Sequence, residues 1–553
     1  MKRKWIITII VIIALFSAGI IYLKTRSSKD FGPIIKTKLQ KIVHDGSDGL
    51  YSLQLDSVHL DVLKGELVLS NVQISYDSVK LANLDSLKQA PNDFYKISFK
   101  TLLINGIGPS DFIEKKNVDL DKIFLENPTV EFYHQKRDYN YSAPDSINLY
   151  RRIQKTLGHF SLNDLSVQKI DFIYHNNIGN KDETTRYKDI SFRFKDILVD
   201  SSTQNDANRF LYAKDALIYL RDYSIITSDK LYAFHFDSAT LNASSHEANI
   251  SHLTFKPNGN KNDFSEKLPF YKDRYDVNVQ HASIKNIDWY HLVAGENFTA
   301  LNAKISDGTV EVFADRTLPP SPKSKVGNYP HQLLMKVKMP IYISKLETEN
   351  IKVTYKELSA KSKKAGELIF DKIEGKFTNI TNEKEKFEKN NTMELNAACS
   401  FMDAGLLHAI FKFNLSDAAN GTFSVDAEMD TLDGRKLNDA TQALGLFEIN
   451  SAKINKLKTH IEGNNFAAKG TLLFLYTDLK ITALKTNDEG DFKKRGLISF
   501  VANNLILEQS NTTKDHNNDV KQVSFQRDIH KSFFNLIWKS MLDGIKKTVK
   551  GKD

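Results

Sequence analysis

The side chains best suited to chemistry are few and scattered in this chain. Fifteen histidines and one cysteine, Cys399, are spread over 553 residues, and the nearest suggestive pair, His246 and His252, lies six residues apart in a strand-like stretch. A metal centre needs several ligands converging from short, regular spacings, and a single cysteine removes both an internal disulfide and any cysteine-rich metal site. No GxGxxG, Walker-type, GxSxG or HExxH pattern occurs. Carboxylates stud the polar positions everywhere, but they display no cleft of the kind an exported glycan hydrolase would need. The chain therefore reads as a non-enzyme, with no catalytic residue, no metal and no cofactor.

Composition narrows the class further. Hydrophobic residues at 41% and charged residues at 26% sit near globular averages, so most of the chain folds in water. Lys and Arg number 76 against 68 Asp and Glu, a net +8 spread along the sequence without a dominant basic block, so nucleic acid is not expected as a partner. The 34 Phe and 21 Tyr fall at strand spacing and read as packing or groove residues rather than base-stacking platforms.

The elements that position these residues begin with Trp5 to Leu23, a charge-free stretch of roughly 28 Å as a helix, about the hydrocarbon thickness of a bilayer. A cleaved signal peptide has a shorter apolar core, and here Ile20 to Leu23 continue the run past the small residues Ser17, Ala18 and Gly19, so an uncleaved anchor is expected. Residues 1–4 form a cytoplasmic tail on that reading, and the body lies across the membrane. Residues 24–48 carry helical spacing at Phe31, Ile34, Ile35, Leu39, Ile42 and Val43 with a lysine flank, which predicts a juxtamembrane amphipathic helix.

From 49 to 508 the pattern is period two, with apolar and polar residues alternating between Gly, Asn, Asp and Pro turns. Within it a cadence of apolar residues at steps of 2, 3, 2, 3 recurs. It reads Leu53, Leu55, Val58, Leu60; then Ile97, Phe99, Leu102, Ile104; then Leu162, Leu165, Val167, Ile170, Phe172. It returns as Ala282, Ile284, Ile287, Trp289, as Ile343, Leu346, Thr348, Ile351, Val353, and as Ile449, Ala452, Ile454. A step of three would turn a flat strand's apolar face over, so each must be a bulge or corner that keeps the face.

The expected fold is thus mainly β: an N-terminal transmembrane helix, then a long curved antiparallel β-sheet forming an apolar, β-taco-like groove, then a C-terminal amphipathic helix. Pattern alone leaves open what covers the apolar face, either lipid acyl chains in a trough or second sheets in stacked sandwich domains. A break is possible on the Pro-rich stretch 318–330. Residues 509–524 read as a flexible linker and 525–553 as a basic helix, whose Phe533, Phe534, Ile537, Trp538 and Met541 beside Lys546 and Lys547 suit either a cap on the sheet or docking to a membrane or an envelope protein partner.

The anchor, the opening strands LQLDSVHLDVLKGELVLSNVQIS (Leu53 to Ser75) and the segment KISFKTLLINGIGPSDFIEKKNVDLDKIFLENPTVEFYH (Lys96 to His134) resemble the AsmA-like family, which includes TamB- and YhdP-type proteins. The resemblance covers chiefly the first 135 residues and rests on loose motifs. It implies a protein held in the inner membrane with its body in the periplasm, taking part in phospholipid transport and outer-membrane homeostasis. The rival expectation is a structural or assembly factor of the cell envelope, made of stacked β-domains and binding protein clients.

Overall fold

Strict alternation lets a strand bury one face and wet the other, and the chain uses it throughout. The computed structural model describes residues 31–106, 117–140, 159–486, 492–494, 508–512 and 519–550, apart from positions 62, 179–180, 204–205, 207, 260–262 and 267. The fold is mainly β, with strands β1 (Tyr51–Gln54) to β23 (Lys521–Gln526). Among the described residues no helix is long and apolar enough to cross a membrane, and Trp5 to Leu23 lies outside them.

The chain divides into two units: Met1–Ser224 with Phe236–Asn249 and Asp288–Glu296, and Ile225–His235 with Ile250–Ile287 and Asn297–Asp553. The stretch 318–330 is inside the second unit.

In the first unit, helix α1 (Phe31–Gly46) is followed by β1, β2 (Ser57–Asp61), β3 (Glu66–Tyr76), helix α2 (Ser78–Ser86) and β4 (Asp93–Asn105). Asp77 caps α2, accepting from the Val79 and Lys80 amides at 2.8 and 2.9 Å. β5 (Asn117–Glu126) and β6 (Thr129–Gln135) run end to end across Asn127 and Pro128 and pair antiparallel with β4 on one side. On the other side both pair parallel with β7 (His159–Ile178), which continues antiparallel to β8 (Lys181–Val199) and β9 (Asp215–Ile226). A parallel neighbour cannot be reached by a tight hairpin. The connection between β6 and β7 is accordingly long, and its residues 141–158 lie outside the described ones. Helix α3 (Trp289–Ala294), capped by Asp288, belongs to this unit.

The second unit carries β12 (Arg274–Lys285), β13 (Phe298–Asp315), β14 (Ile341–Leu358), β15 (Ala365–Thr381), β16 (Thr392–Phe401), β17 (Gly405–Asn414), β18 (Phe423–Met429), β20 (Phe447–Gly463), β21 (Ala467–Thr486) and β23 as consecutive neighbours. Helices α4 (Pro330–Met335), α5 (Lys384–Lys389) and α6 (Phe533–Val549) join it. The β13–β14 pair is parallel, so residues 316–340 form the crossover it requires, and the Pro-rich stretch read as a candidate break is part of that crossover. The sheets are mixed rather than wholly antiparallel. The expected linker 509–524 also differs in its second half: Lys521–Gln526 is β23, paired with Ala467–Leu472 of β21.

Some of the steps of three are corners in the backbone, whereas those after Leu55, Phe99, Leu162 and Ile343 carry no left-handed residue. At the second polar residue of the steps that turn stand Asn71, Lys169, Asp196, Asn286, Asp307 and Asn350, all with φ between 51° and 57°. Register shifts fall at the same places, between Val167 and Ile170 and between Thr348 and Ile351. The left-handed region is costly for most side chains and least so for Asn and Asp, which explains their prevalence at these corners. One extra residue opposite β15 keeps Thr348 and Ile351 on a common face.

Candidate functional site

Edge-to-edge register carries the apolar face across the second unit. Ile284, Ala303, Leu346, Phe377, Leu395, Phe411, Val425 and Ile461 are successive partners, one from each of β12 to β18 and β20. The adjacent row on the same face is small except at Ile305: Ala282, Ile305, Thr348, Gly375, Ala397, Ala409, Ala427 and Thr459. A Cβ on Gly375 would stand 2.5 Å from the Thr348 hydroxyl, so the row cannot be raised there without displacing its neighbour. Beyond it Val277, Val310, Val353, Phe370 and Phe401 restore bulk. The result is a low line between two higher apolar rows.

What covers that face differs along it. Over β17 to β21, α4 and α6 supply a lid: Phe533 lies 4.8 Å from the rings of Tyr329 and Phe423 and 5.7 Å from Phe413. Phe533, Leu536 and Ile537 are buried, and Met541 packs against the same cluster. Helix α6 comes close because Ser540, Gly544 and Thr548 face the sheet and are buried. Over β12 to β14, by contrast, no helix makes extensive contact among the described residues. Ile284, Ile343, Leu346 and Val353 stay half-buried there and belong to no buried cluster, although Ile351 is buried.

The first unit closes its own face. Leu53, Leu55, Leu102, Ile104, Leu162, Leu165, Val167 and Ile170 are core residues, and Val58, Leu60, Phe99 and Phe172 pack against them half-buried. Ile35 and Leu39 of α1, both fully buried, complete this core, so the helix expected beside the membrane lies on β1 and β2. Toward one end the face turns aromatic, with Phe132, Phe172, Tyr187, Tyr223 and Phe236 in sequence from strand to strand at centroid separations of 6.4, 6.2, 4.7 and 5.1 Å.

Two expected groove positions have other roles. Strand β12 ends at Lys285, so Ile287 and Trp289 are not strand residues. Trp289 opens α3, buried edge-on to Phe210 at 6.0 Å, with its indole N–H donating to the Asn242 carbonyl at 3.2 Å. Ile449 and Ile454 are strand residues as expected and are buried. Asn438 clips the helical run Gly434–Gly445 to Ile449, donating to its carbonyl at 3.0 Å and accepting from its amide at 2.8 Å.

At the strand ends of β12 to β14 the rim of the same face is polar. The Arg316 guanidinium donates to Glu357 at 3.2 Å and to the Tyr355 hydroxyl at 3.3 Å, and Lys325 pairs with Asp273 at 3.3 Å. Burial, reinforced by the Glu357 carboxylate, pushes the Tyr355 phenol above its ordinary range.

The residues first considered for chemistry do not converge. His246 and His252 both sit at left-handed backbone positions, φ 55° and 49°, and no group of three or more His, Cys, Asp or Glu could hold a metal among the described residues. Burial pushes the Cys399 thiol up to about 11, which keeps it protonated and unreactive at neutral pH. Sequence reading missed the row partners Phe377, Leu395 and Phe411, although plain alternation in those strands marks them. It also missed His331 and Arg527, buried polar residues that no periodicity flags. No protein-family model matches the chain, and no curated protein matches it.

Proposed function

We propose that this chain is an AsmA-like, inner-membrane-anchored protein with its body in the periplasm, which binds lipid acyl chains on the β12–β15 face and takes part in phospholipid transport and outer-membrane homeostasis. The supporting observation is the apolar row Ile284–Ala303–Leu346–Phe377, continuous in register, half-buried at Ile284 and Leu346, and in extensive contact with no helix over β12 to β14 among the described residues. Each methylene removed from water is worth about 0.8 kcal/mol. A tail laid along the low line between the two bulky rows thus gains several kcal/mol even when only partly covered. No charged group stands on that line to bind one position of a tail over the next, so the tail slides, and direction comes from a gradient or a partner. No catalytic group is called for.

The strands of each unit pair edge to edge into one sheet, β22 (Phe492–Lys494) lying apart on β21, which favours the groove over stacked sandwich domains. The test is site-specific photo-crosslinking of the full chain in cells, with the photoreactive residue at Ile284, Leu346 or Val353, and at Lys356 on the opposite face as the control. Phospholipid adducts at the first three and none at Lys356 are expected. Protein adducts without lipid at those three positions would replace this reading with that of an assembly factor binding protein clients.

A further inference from the structure

The net charge of this protein, diffuse along the sequence, is gathered by the fold. The crossover Leu318–Pro340 carries four lysines and no acid, and Arg527–Lys550 carries six Lys and Arg against two Asp, an excess equal to the +8 of the entire chain. The remainder is neutral on balance. Far apart in sequence, these segments are bound to each other within the second unit. The Arg527 guanidinium lies 4.5 Å over the Tyr329 ring and donates to the Lys325 carbonyl at 3.0 Å, and the Lys325 amide donates to the Ile529 carbonyl at 2.7 Å.

Around this junction stand apolar side chains that the fold leaves in water. Phe534 is 66% and Trp538 48% exposed on α6, Phe466 is 61% exposed in the β20–β21 hairpin, and Leu333 is 50% exposed on α4. They are held to the junction by short links: the Phe466 carbonyl accepts from the Arg527 amide at 2.7 Å, the Leu333 amide donates to Tyr329, and Phe534 follows the buried Phe533. The opposite side of α6 is buried on β21 and β23, so its outward aromatics are not a core face awaiting its own sheet. Lys546, Lys547 and Lys550 stand at the other end of α6, where Lys547 pairs with Asp543, but Lys323, Lys336 and Lys338 of the crossover are exposed in the segment bound to this junction. Exposed aromatics beside such lysines fit the interface of a bilayer, where rings enter the headgroup boundary and lysines meet anionic phosphates.

We infer that this end of the second unit, with Phe466, Phe534 and Trp538 at its tip, docks on the surface of an anionic lipid bilayer. This inference is independent of the acyl-chain groove: a face that binds no tail leaves it intact, and a failure to dock leaves the groove intact.

Because the apolar segment Trp5 to Leu23 would bring the full chain to any vesicle, the test must read position. Nitroxide labels are placed at Phe534→Cys, Phe466→Cys and, as a control in the first unit, Leu63→Cys, each in the full chain with Cys399→Ala. Accessibility to oxygen against a water-soluble nickel chelate is measured by power saturation with phosphatidylcholine vesicles, with and without phosphatidylglycerol. The expected result is a shift toward oxygen at 534 and 466 with the anionic vesicles, reversed by high salt, while 63 stays accessible to nickel. Lys336→Glu with Lys338→Glu, both exposed, should lower the salt concentration needed for reversal. The inference is overturned if 534 and 466 stay nickel-accessible on anionic vesicles, if 63 shifts with them, or if they shift equally on neutral vesicles regardless of salt.

Discussion

Asp307 of β13 and Asn350 of β14 stand side by side at matching corners, φ 56° and 53°, and the Asn350 amide group donates to the Asp307 carboxylate at 2.7 Å. The corner is thus built twice over, by a backbone conformation that Asn tolerates and by a bond between neighbouring corners. Asn350→Val should destabilise by about 2 to 3 kcal/mol, from left-handed strain and the lost bond. Asn350→Gly keeps the backbone and should cost under about 1 kcal/mol. Equal losses in urea unfolding would show that the corner does not depend on its left-handed residue.

The two apolar surfaces should answer charge differently. Leu165 is 1% exposed in the first unit's core, so Leu165→Glu buries a carboxylate without a partner and should cost several kcal/mol. Leu346→Glu and Val353→Glu, on the half-buried face of β14, should cost about 1 kcal/mol while abolishing lipid adducts at neighbouring positions. Protease resistance under increasing urea reads both, and a Leu346→Glu variant as unstable as Leu165→Glu would mean that β14 has a packed cover.

His331 sets an acid limit. Its ring is fully buried against Phe413, 5.2 Å away, neither nitrogen has a hydrogen-bond partner among the described residues, and burial holds its pKa at about 4, with Asp417 opposing weakly. The unfolded chain takes up this proton near pH 6.5 and the native one near 4. The contribution of roughly 3 kcal/mol is therefore complete above pH 6.5, is lost progressively as pH falls toward 4, and changes no further below. Urea midpoints of the wild type and His331→Phe should diverge across that window, with the variant flatter; parallel curves would show that His331 titrates as it does in water.

Gly544 lets α6 sit close to the sheet: a Cβ there would meet Val523 Cγ1 at 2.7 Å and Leu472 Cβ at 2.9 Å. An added side chain improves helix propensity by up to about 1 kcal/mol, yet overpacking typically costs about 1 to 3 kcal/mol. For Gly544→Val, whose branched Cβ gains the least propensity, the net loss should be about 2 kcal/mol, with faster amide exchange in α6 and β23. A variant at least as stable as the wild type would show that α6 has room to shift.

Much of the fold was legible because its signals are local. Alternation assigns faces within one strand, and a step of three raises the expectation of a bend, but it does not say which steps turn: Asn350 is left-handed and Asp164, at the same place in its step, is not. The helices Phe31–Gly46 and Phe533–Val549 were equally plain from i, i+4 spacing. Local pattern fails where the decision belongs to a distant partner. The cadence runs on to Ile287 and Trp289 although β12 stops at Lys285, because an apolar residue in a strand and one in a buried helix turn look alike in sequence. Leu102 and Leu346 obey the same rule, yet one is sealed in a core that includes Ile35 and Leu39 of α1 and the other stays half-buried. The sequence by itself determined that the chain is mainly β and, through alternation, which side of a strand is dry. Only the tertiary structure decided which dry surfaces are covered, that β13 and β14 are parallel, and that two basic segments some 200 residues apart, bonded through Lys325 and Arg527, share one end. Covering a face or gathering charge depends on long-range contacts, whose closure entropy and geometry leave no trace in a pattern a few residues long.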